Sequence, residues 1–168
     1  YEDPKTGQDV VLQKLYGGAN RTWVKYEDIP KNLIHACIAI EDKRFMEHQG
    51  VDWVTTMRAC LKMFLGSGSA GGSTITQQLV KNVTGNREVT VRRKLAEIYS
   101  ALKLEKEYTK EEIMEWYLNV IALGQNCEGV QSAAQVYFGK NVEELDLAQC
   151  ASLIGITNNP SIYDPYLN

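Results

Sequence analysis

The sequence predicts a mainly α-helical, irregularly packed single domain, on three observations. From Pro30 onward, apolar residues recur at helical spacing in one block after another. Several blocks open on a pair suited to capping: Thr74 with Gln77, Thr109 with Glu112, Asp146 with Gln149. β-prone runs are confined to the start, where Val10–Leu12 and Thr22–Val24 flank a Gly17-Gly18-Ala19-Asn20 turn signal. The expected division is an extended or linking segment over 1–26 and one domain over 27–168.

A chain of 168 residues suits one compact core. Its formal charge of −3 gives no case for nucleic acid, although Arg87, Arg92, Arg93, Lys94, Lys103, Lys106 and Lys110 crowd together. Nothing resembles a signal peptide, and no apolar run reaches the roughly 18 residues of a membrane span. The piece therefore reads as soluble or peripheral, with an anchor before Tyr1 left open. The four cysteines lack C-x-x-C spacing. Cys37, Cys60 and Cys150 fall in apolar helical patterns, which fits buried small hydrophobes, and with His35 and His48 the only histidines a zinc site is not expected.

Taken in order, Pro30 suits the first turn of a helix running to about Met46. Ile34, Ile38, Glu41 and Phe45 form one stripe on it, so Glu41 shares a face with apolar residues. Such a carboxylate is expected to bind its proton more tightly, in the range useful for proton transfer; the plainer alternative is a Glu at the stripe's edge that reaches water or a cation. A second helix is expected over Trp53–Leu65, capped by Asp52 and stopped by Gly66. Its Trp53, Val54, Met57, Leu61, Met63 and Phe64, with Arg58 and Lys62 between, suit either ordinary core packing or a lipid–water interface. The following GSGSAGG reads as a mobile loop beside a site.

In GGSTITQQLVKN (Gly71–Asn82), a helix starting near Ser73 puts Thr74, Gln77, Gln78 and Lys81 on one polar face and Ile75, Leu79 and Val83 opposite. Free N–H groups at its start, with an ammonium one to two turns on, could cradle a phosphate; the plainer reading is a solvated face. After a break at Gly85, Thr90 caps a helix to about Tyr108 with Val91, Leu95, Ile98 and Leu102 as its apolar stripe. Glu97 lies off that stripe beside Arg93 and Lys94, as in ordinary surface charge pairs. The Thr109 helix presents Ile113, Trp116, Tyr117 and Val120, with Gly124 as its stop. Gly129–Phe138 is a short helix closed by Gly139, and the Asp146 helix runs through Ile154 before a Pro-punctuated exit.

Two glutamates, a Thr/Gln/Lys face and an arginine cluster suit sugar chemistry, in which one carboxylate exchanges a proton and another positions or stabilises. Fixed cations tilt this toward transfer from a donor with a diphosphate leaving group, since they stabilise charge that grows as the bond breaks. Residue spacing goes no further than carbohydrate or phosphate chemistry.

The blocks AIEDKRFMEHQGVDW (Ala39–Trp53), GGSTITQQLVKN, RRKLAEIYSALKLEKEYTKEEIMEWYLN (Arg92–Asn119) and GVQSAAQVYFGK (Gly129–Lys140) together resemble, in order, the signatures of peptidoglycan glycosyltransferases. These are the transglycosylase domains of class A, bifunctional penicillin-binding proteins and of monofunctional relatives. The resemblance covers about Arg21 to the end. It implies a lysozyme-like helical lobe beside a smaller, membrane-facing jaw lobe at about 50–72, and polymerisation of lipid II into glycan strands on the outer face of the bacterial plasma membrane. It implies Glu41 as the general base and Glu97 as the second carboxylate. Asp42, Arg44, Phe45 and His48 match the first block; Ser73, Thr74, Gln77, Gln78, Lys81 and Asn82 match the donor-side block; Arg93 and Lys94 flank Glu97. Arg87 and Arg92 are alternatives for an arginine that contacts diphosphate. Lys43 stands where arginine is frequent, and Cys127 has no assignment. Moenomycin-type inhibitors are implied as ligands. No cofactor is implied with certainty, and a divalent cation, Mg or Mn, at the diphosphate stays open. The jaw helix is expected to expose apolar side chains, and uniform burial would refute that. The rivals are a lysozyme-type lytic glycosidase and a non-catalytic helical binding module.

Overall fold

The computed structural model describes residues 21–65, 71–85, 88–158 and 160–166. Within them lie eight α-helices: α1 Lys31–Glu41, α2 Trp53–Phe64, α3 Ile75–Thr84, α4 Val91–Glu107, α5 Lys110–Val120, α6 Val130–Phe138, α7 Leu147–Asn158 and α8 Pro160–Tyr163. No strand occurs among the described residues; an isolated antiparallel bridge pairs Ala122 with Glu128. The expected loop GSGSAGG falls mostly outside the described residues, as do Arg87 and the first expected β-prone run.

Helix starts follow the capping residues. Thr74, Thr90 and Thr109 each accept a hydrogen bond from the backbone N–H three residues on, and Thr109 with Glu112 forms the full reciprocal box. Asp146 and Gln149 bond each other's backbone N–H in the same way. Asp52 caps α2, its Oδ1 accepting from the N–H groups of Val54 and Thr55. α1 packs along α7, and α3 packs on both α4 and α5. Leu33, Cys37, Ile75, Leu79, Ile113, Tyr117, Leu118, Val130, Leu153 and Ile154 meet between them as the main core. Cys37, Cys127 and Cys150 are buried free thiols in or beside this core.

Several expectations change on the structure. The first helix ends at Glu41 instead of reaching Met46, because Asp42 leaves helical geometry at φ −157° and turns its carboxylate to the start of α3. Phe45 is buried all the same, reached by the turn that follows. The Thr109 helix ends at Val120, four residues before Gly124, and the last long helix runs on to Asn158. On α4 the expected core stripe is only partly kept, with Ile98 and Leu102 half-buried. Val91 and Leu95 are exposed, while Glu97 and Ala101 are buried. On α3 the apolar Ile75 and Leu79 are buried as expected, but Thr74 and Gln77 are buried too, and Lys81 and Val83 are exposed, so a fully solvated polar face does not describe this helix. Residues 21–25 form neither helix nor strand. The Asn119 side chain stands in for a neighbouring strand, accepting from Val24 N–H and donating to Val24 C=O, each at 2.8 Å.

α2 keeps its expected start and exposes its apolar side. Met57 and Leu65 are 63 % and 77 % exposed, and Trp53, Val54 and Leu61 are exposed with them. Core packing therefore does not account for this helix. No helix among the described residues is long and apolar enough to cross a membrane.

Candidate active site

Glu41 is the last residue of α1 and borders a cleft of about 410 Å³. Asp42, Lys43, Arg44, Arg58, Ser73 and Thr74 are among the other residues lining it. Both carboxylate oxygens of Glu41 are held by neutral donors. Gln78 Nε2 donates to Oε2 at 2.8 Å, and Thr157 Oγ1 approaches Oε1 at 2.6 Å. Among the described residues no cation pairs with Glu41. Behind Gln78, the Tyr117 hydroxyl donates to its Oε1 at 3.3 Å, which fixes the amide with its NH₂ toward the glutamate. Burial, then the charges of Cys37 and Glu41, push the Tyr117 phenol well up; burial, then Glu41 and Asp42, do the same to the Cys37 thiol. Both groups stay neutral beside the carboxylates.

Asp42 ties the cleft's first wall to its second. Its Oδ2 accepts from Ile75 N–H at 3.1 Å and contacts His48 Nε2 at 2.8 Å, and both side chains are nearly fully buried. The start of α3 is thus already occupied by a protein carboxylate. Gln77 N–H goes to Thr74 Oγ1 and Gln78 N–H to Thr74 C=O, so the expected open cradle of free N–H groups is largely filled from within. The Thr74 hydroxyl in turn donates to Gly50 C=O at 2.6 Å. Arg44 bridges Glu47 and Asp52. Burial alone would raise the Asp52 pKa, but hydrogen bonds from Thr55 and Val54 and the charge of Arg44 more than offset it and leave it lowered.

Glu97 belongs to a second cluster. Arg93 and Lys94 each reach one of its oxygens at 2.5 Å, and its side chain is 5 % exposed. Lys94 Nζ also donates to Gln77 Oε1 and to Ser73 Oγ, each at 2.8 Å. Ser73 lines the Glu41 cleft, so Lys94 links the two carboxylates' surroundings through one ammonium. Glu97 itself, with Lys81 and Arg93, lines a separate hollow of about 130 Å³. Lys81 is exposed, and among the described residues it has no ion pair. It lies three residues along α3 from Gln78, about 4.5 Å of axial rise, so it follows the Glu41 contact by one turn. A larger hollow of about 460 Å³ lies elsewhere, lined by Trp23, Leu79, Val83, Leu104, Trp116 and others; it is apolar and borders neither glutamate.

The structure brings Glu41, Asp42, Arg44, Ser73 and Thr74 to one cleft, with Gln78 bonded to Glu41, while Gln77, Arg93, Lys94 and Glu97 join this region through the Lys94 ammonium. Phe45 is not in the cleft; it is buried beneath, with Lys110 Nζ 4.3 Å from its ring centre. His48 supports Asp42 and does not line the Glu41 cleft. Asn82 and Arg92 are exposed and line none of these hollows, and Arg87 lies outside the described residues. Sequence reasoning missed Thr157, 116 positions from its partner Glu41, because the expected helix stopped at Ile154. It also missed Arg58 as a cleft residue and Asp52 beyond its role as a cap. Among the described residues, no three His, Cys, Asp or Glu side chains group as metal ligands.

A carboxylate braced by neutral donors beside a polar cleft, with cations nearby but not bonded to it, suits proton abstraction next to a developing anion. The family model described as Transglycosylase matches residues 8–168. Penicillin-binding protein 1A of Neisseria meningitidis serogroup B is 45 % identical over 155 residues, covering 92 % of this chain and 19 % of that protein. The proteins of the same name from Pseudomonas aeruginosa and Clostridium botulinum are 42 % and 41 % identical, over 96 % and 92 % of this chain and 20 % and 19 % of theirs. The chain spans about a fifth of the length of the curated relatives it matches.

Proposed function

The chain belongs to the transglycosylase family, and from that premise we propose that it is a peptidoglycan glycosyltransferase that polymerises lipid II. The observation that carries this reading is the bracing of Glu41 by Gln78 and Thr157 at the wall of the polar cleft. In it, Glu41 takes the proton from the 4-hydroxyl of the acceptor sugar as that oxygen attacks the anomeric carbon of the donor. The bond from that carbon to the diphosphate oxygen breaks with its electron pair, and polyprenyl diphosphate leaves. Attack from the opposite face inverts an α-linked donor into a β-1,4 linkage.

Charge on the leaving group is met by cations. Lys81 stands one turn along α3 from the Gln78 contact and shares a hollow with Arg93 of α4, and Lys43 and Arg58 line the Glu41 cleft itself. Their attraction grows as the diphosphate separates, which lowers the barrier more than it tightens ground-state binding. A divalent cation, where one accompanies the substrate, belongs with the diphosphate oxygens. Glu97 holds Arg93 and Lys94 in place, so its role is to position cations and not to exchange protons. The exposed apolar side of α2, with Arg58 and Lys62 on the same helix, supports a jaw resting on the outer leaflet of the plasma membrane, where the lipid-linked substrate resides. Moenomycin-type inhibitors would occupy the same cleft.

Incubation with labelled lipid II in detergent, followed by sizing of the products, tests the reading. A transferase yields lengthening lipid-linked strands. A lytic glycosidase yields soluble sugar fragments from preformed glycan, and a binding module yields neither.

A further inference from the structure

Thr157 stands in the last turn of α7, and its hydroxyl has two acceptors within reach: Glu41 Oε1 at 2.6 Å and Ile154 C=O at 2.7 Å. One hydroxyl carries one proton and can donate to only one of them at a time. We infer that Thr157 is a positioning residue for Glu41, whose hydroxyl proton serves the carboxylate when Glu41 is ionised and turns to Ile154 C=O when Glu41 is protonated. This rests on the glycosyl-transfer reading of Glu41.

When Glu41 is ionised, the carboxylate is the stronger acceptor and takes the Thr157 proton in a charge-assisted bond. When Glu41 has gained a proton, its demand for donors falls. The Thr157 hydroxyl then rotates to Ile154 C=O and leaves its oxygen as an acceptor toward Oε1. Neither state strands a polar hydrogen, so the site passes between its two protonation states without rebuilding. Gln78 cannot do this, because its NH₂ only donates and Tyr117 fixes its orientation. The two contacts brace both oxygens from the protein side and leave the other lone pairs for the cleft. Both bracing groups are neutral, so they orient the base without neutralising it as a salt bridge would.

The charged and titratable groups around Glu41 are Cys37 on its own helix, Tyr117 on α5, and Asp42, Lys43, Arg44, Asp52 and Arg58 around the cleft. None of them lies on α7, so a change at Thr157 removes a hydrogen bond and no charge. Thr157→Val keeps the shape and deletes the donor. In the full chain it is expected to lower kcat for labelled lipid II roughly 10- to 100-fold with KM little changed, because the carboxylate is no longer held in the orientation that meets the acceptor hydroxyl. The acid limb of its pH–rate profile should move to higher pH, since the lost donor favoured the ionised form. Thr157→Ser should restore both. Ser152→Ala, which removes a hydroxyl bonded to Ala148 C=O on the exposed side of the same helix, should change neither.

Wild-type kcat and an unmoved acid limb in Thr157→Val would overturn the inference, as would a Ser variant as impaired as the Val one. Should Val fail to fold, Thr157→Ala carries the same comparison with Ser. An inactive wild type would instead overturn the glycosyl-transfer reading. In that case a carbon-detected NMR titration of Glu41 still decides the Thr157 contact, by whether its midpoint moves up in the Val or Ala variant and returns in the Ser variant.

Discussion

Lys94→Met isolates the ammonium that joins the two carboxylate clusters, while keeping most of the side chain's apolar stem. In the folded protein Lys94 Nζ serves Glu97 Oε1, Gln77 Oε1 and Ser73 Oγ. Gln77 is fully buried, so stripping its acceptor costs about 1–2 kcal/mol. Removing the partner of a buried charge costs about 3–5 kcal/mol. Arg93 still holds Glu97, and Lys94 is itself about a third exposed, so only about 1–2 kcal/mol of that applies here. The sum is about 3 kcal/mol, which for a chain of this length lowers Tm by about 6–12 °C. Thermal unfolding followed by far-ultraviolet circular dichroism measures it. A double-mutant cycle with Glu97→Gln should show a coupling of about 1 kcal/mol or more between the two positions. A Tm within about 2 °C of wild type, or strict additivity, would refute the picture of a buried cluster organised by Lys94.

Two further outcomes follow from the segment between α1 and α2, which carries Gly50 and Asp52. Gly50 has φ +86°, and a Cβ there would sit 2.6 Å from the carbonyl oxygen of Ala101 on α4, so Gly50→Ala must move backbone against backbone. We expect it to cost at least about 2 kcal/mol in urea unfolding, and a smaller effect would mean that the loop yields freely. Asp52 has a folded-state pKa below its unfolded value of about 3.9. Its ionised form therefore contributes stability above that value, and the contribution is lost as pH falls through the lowered folded value. Asp52→Asn should be less stable than wild type at neutral pH, with the gap closing on acidification below about pH 4. A gap that stays constant with pH in denaturant titrations would show that the cap acts without its charge.

Helix starts are legible in the sequence because a cap is a local device: Thr74, Thr90, Thr109 and Asp52 act within three residues of themselves. Ends and faces are less so. α1 stops at Glu41 because Asp42 serves an N–H 33 positions away, and no local pattern carries that information. Periodicity places Ile75 and Leu79 on the buried side of α3 but misplaces Gln77 and Glu97, because it treats polar residues as solvent-facing. Here Gln77 and Glu97 are buried alongside the apolar Ile75, Leu79 and Ala101, with Lys94 reaching Gln77 Oε1 and Arg93 and Lys94 holding Glu97. A buried polar cluster defeats hydrophobic patterning for the same reason that it suits a reaction site. Motif resemblance weighs residue identity instead of burial, and it named Glu41, Asp42, Arg44, Ser73 and Thr74, which the structure places around one cleft. It still grouped Phe45 and His48, which support the cleft from beneath, with residues that line it. Thr157 shows neither a motif nor a periodic signal, and only the packing of α7 on α1 reveals it.

The most direct test of the account is the rate at which Glu41→Gln polymerises labelled lipid II. The substitution keeps the size of the side chain and removes the proton acceptor beside Gln78 and Thr157. A folded Glu41→Gln protein that lengthens glycan at least about 100-fold more slowly than wild type, while still binding the lipid, is the predicted result. Strand growth at the wild-type rate would contradict it.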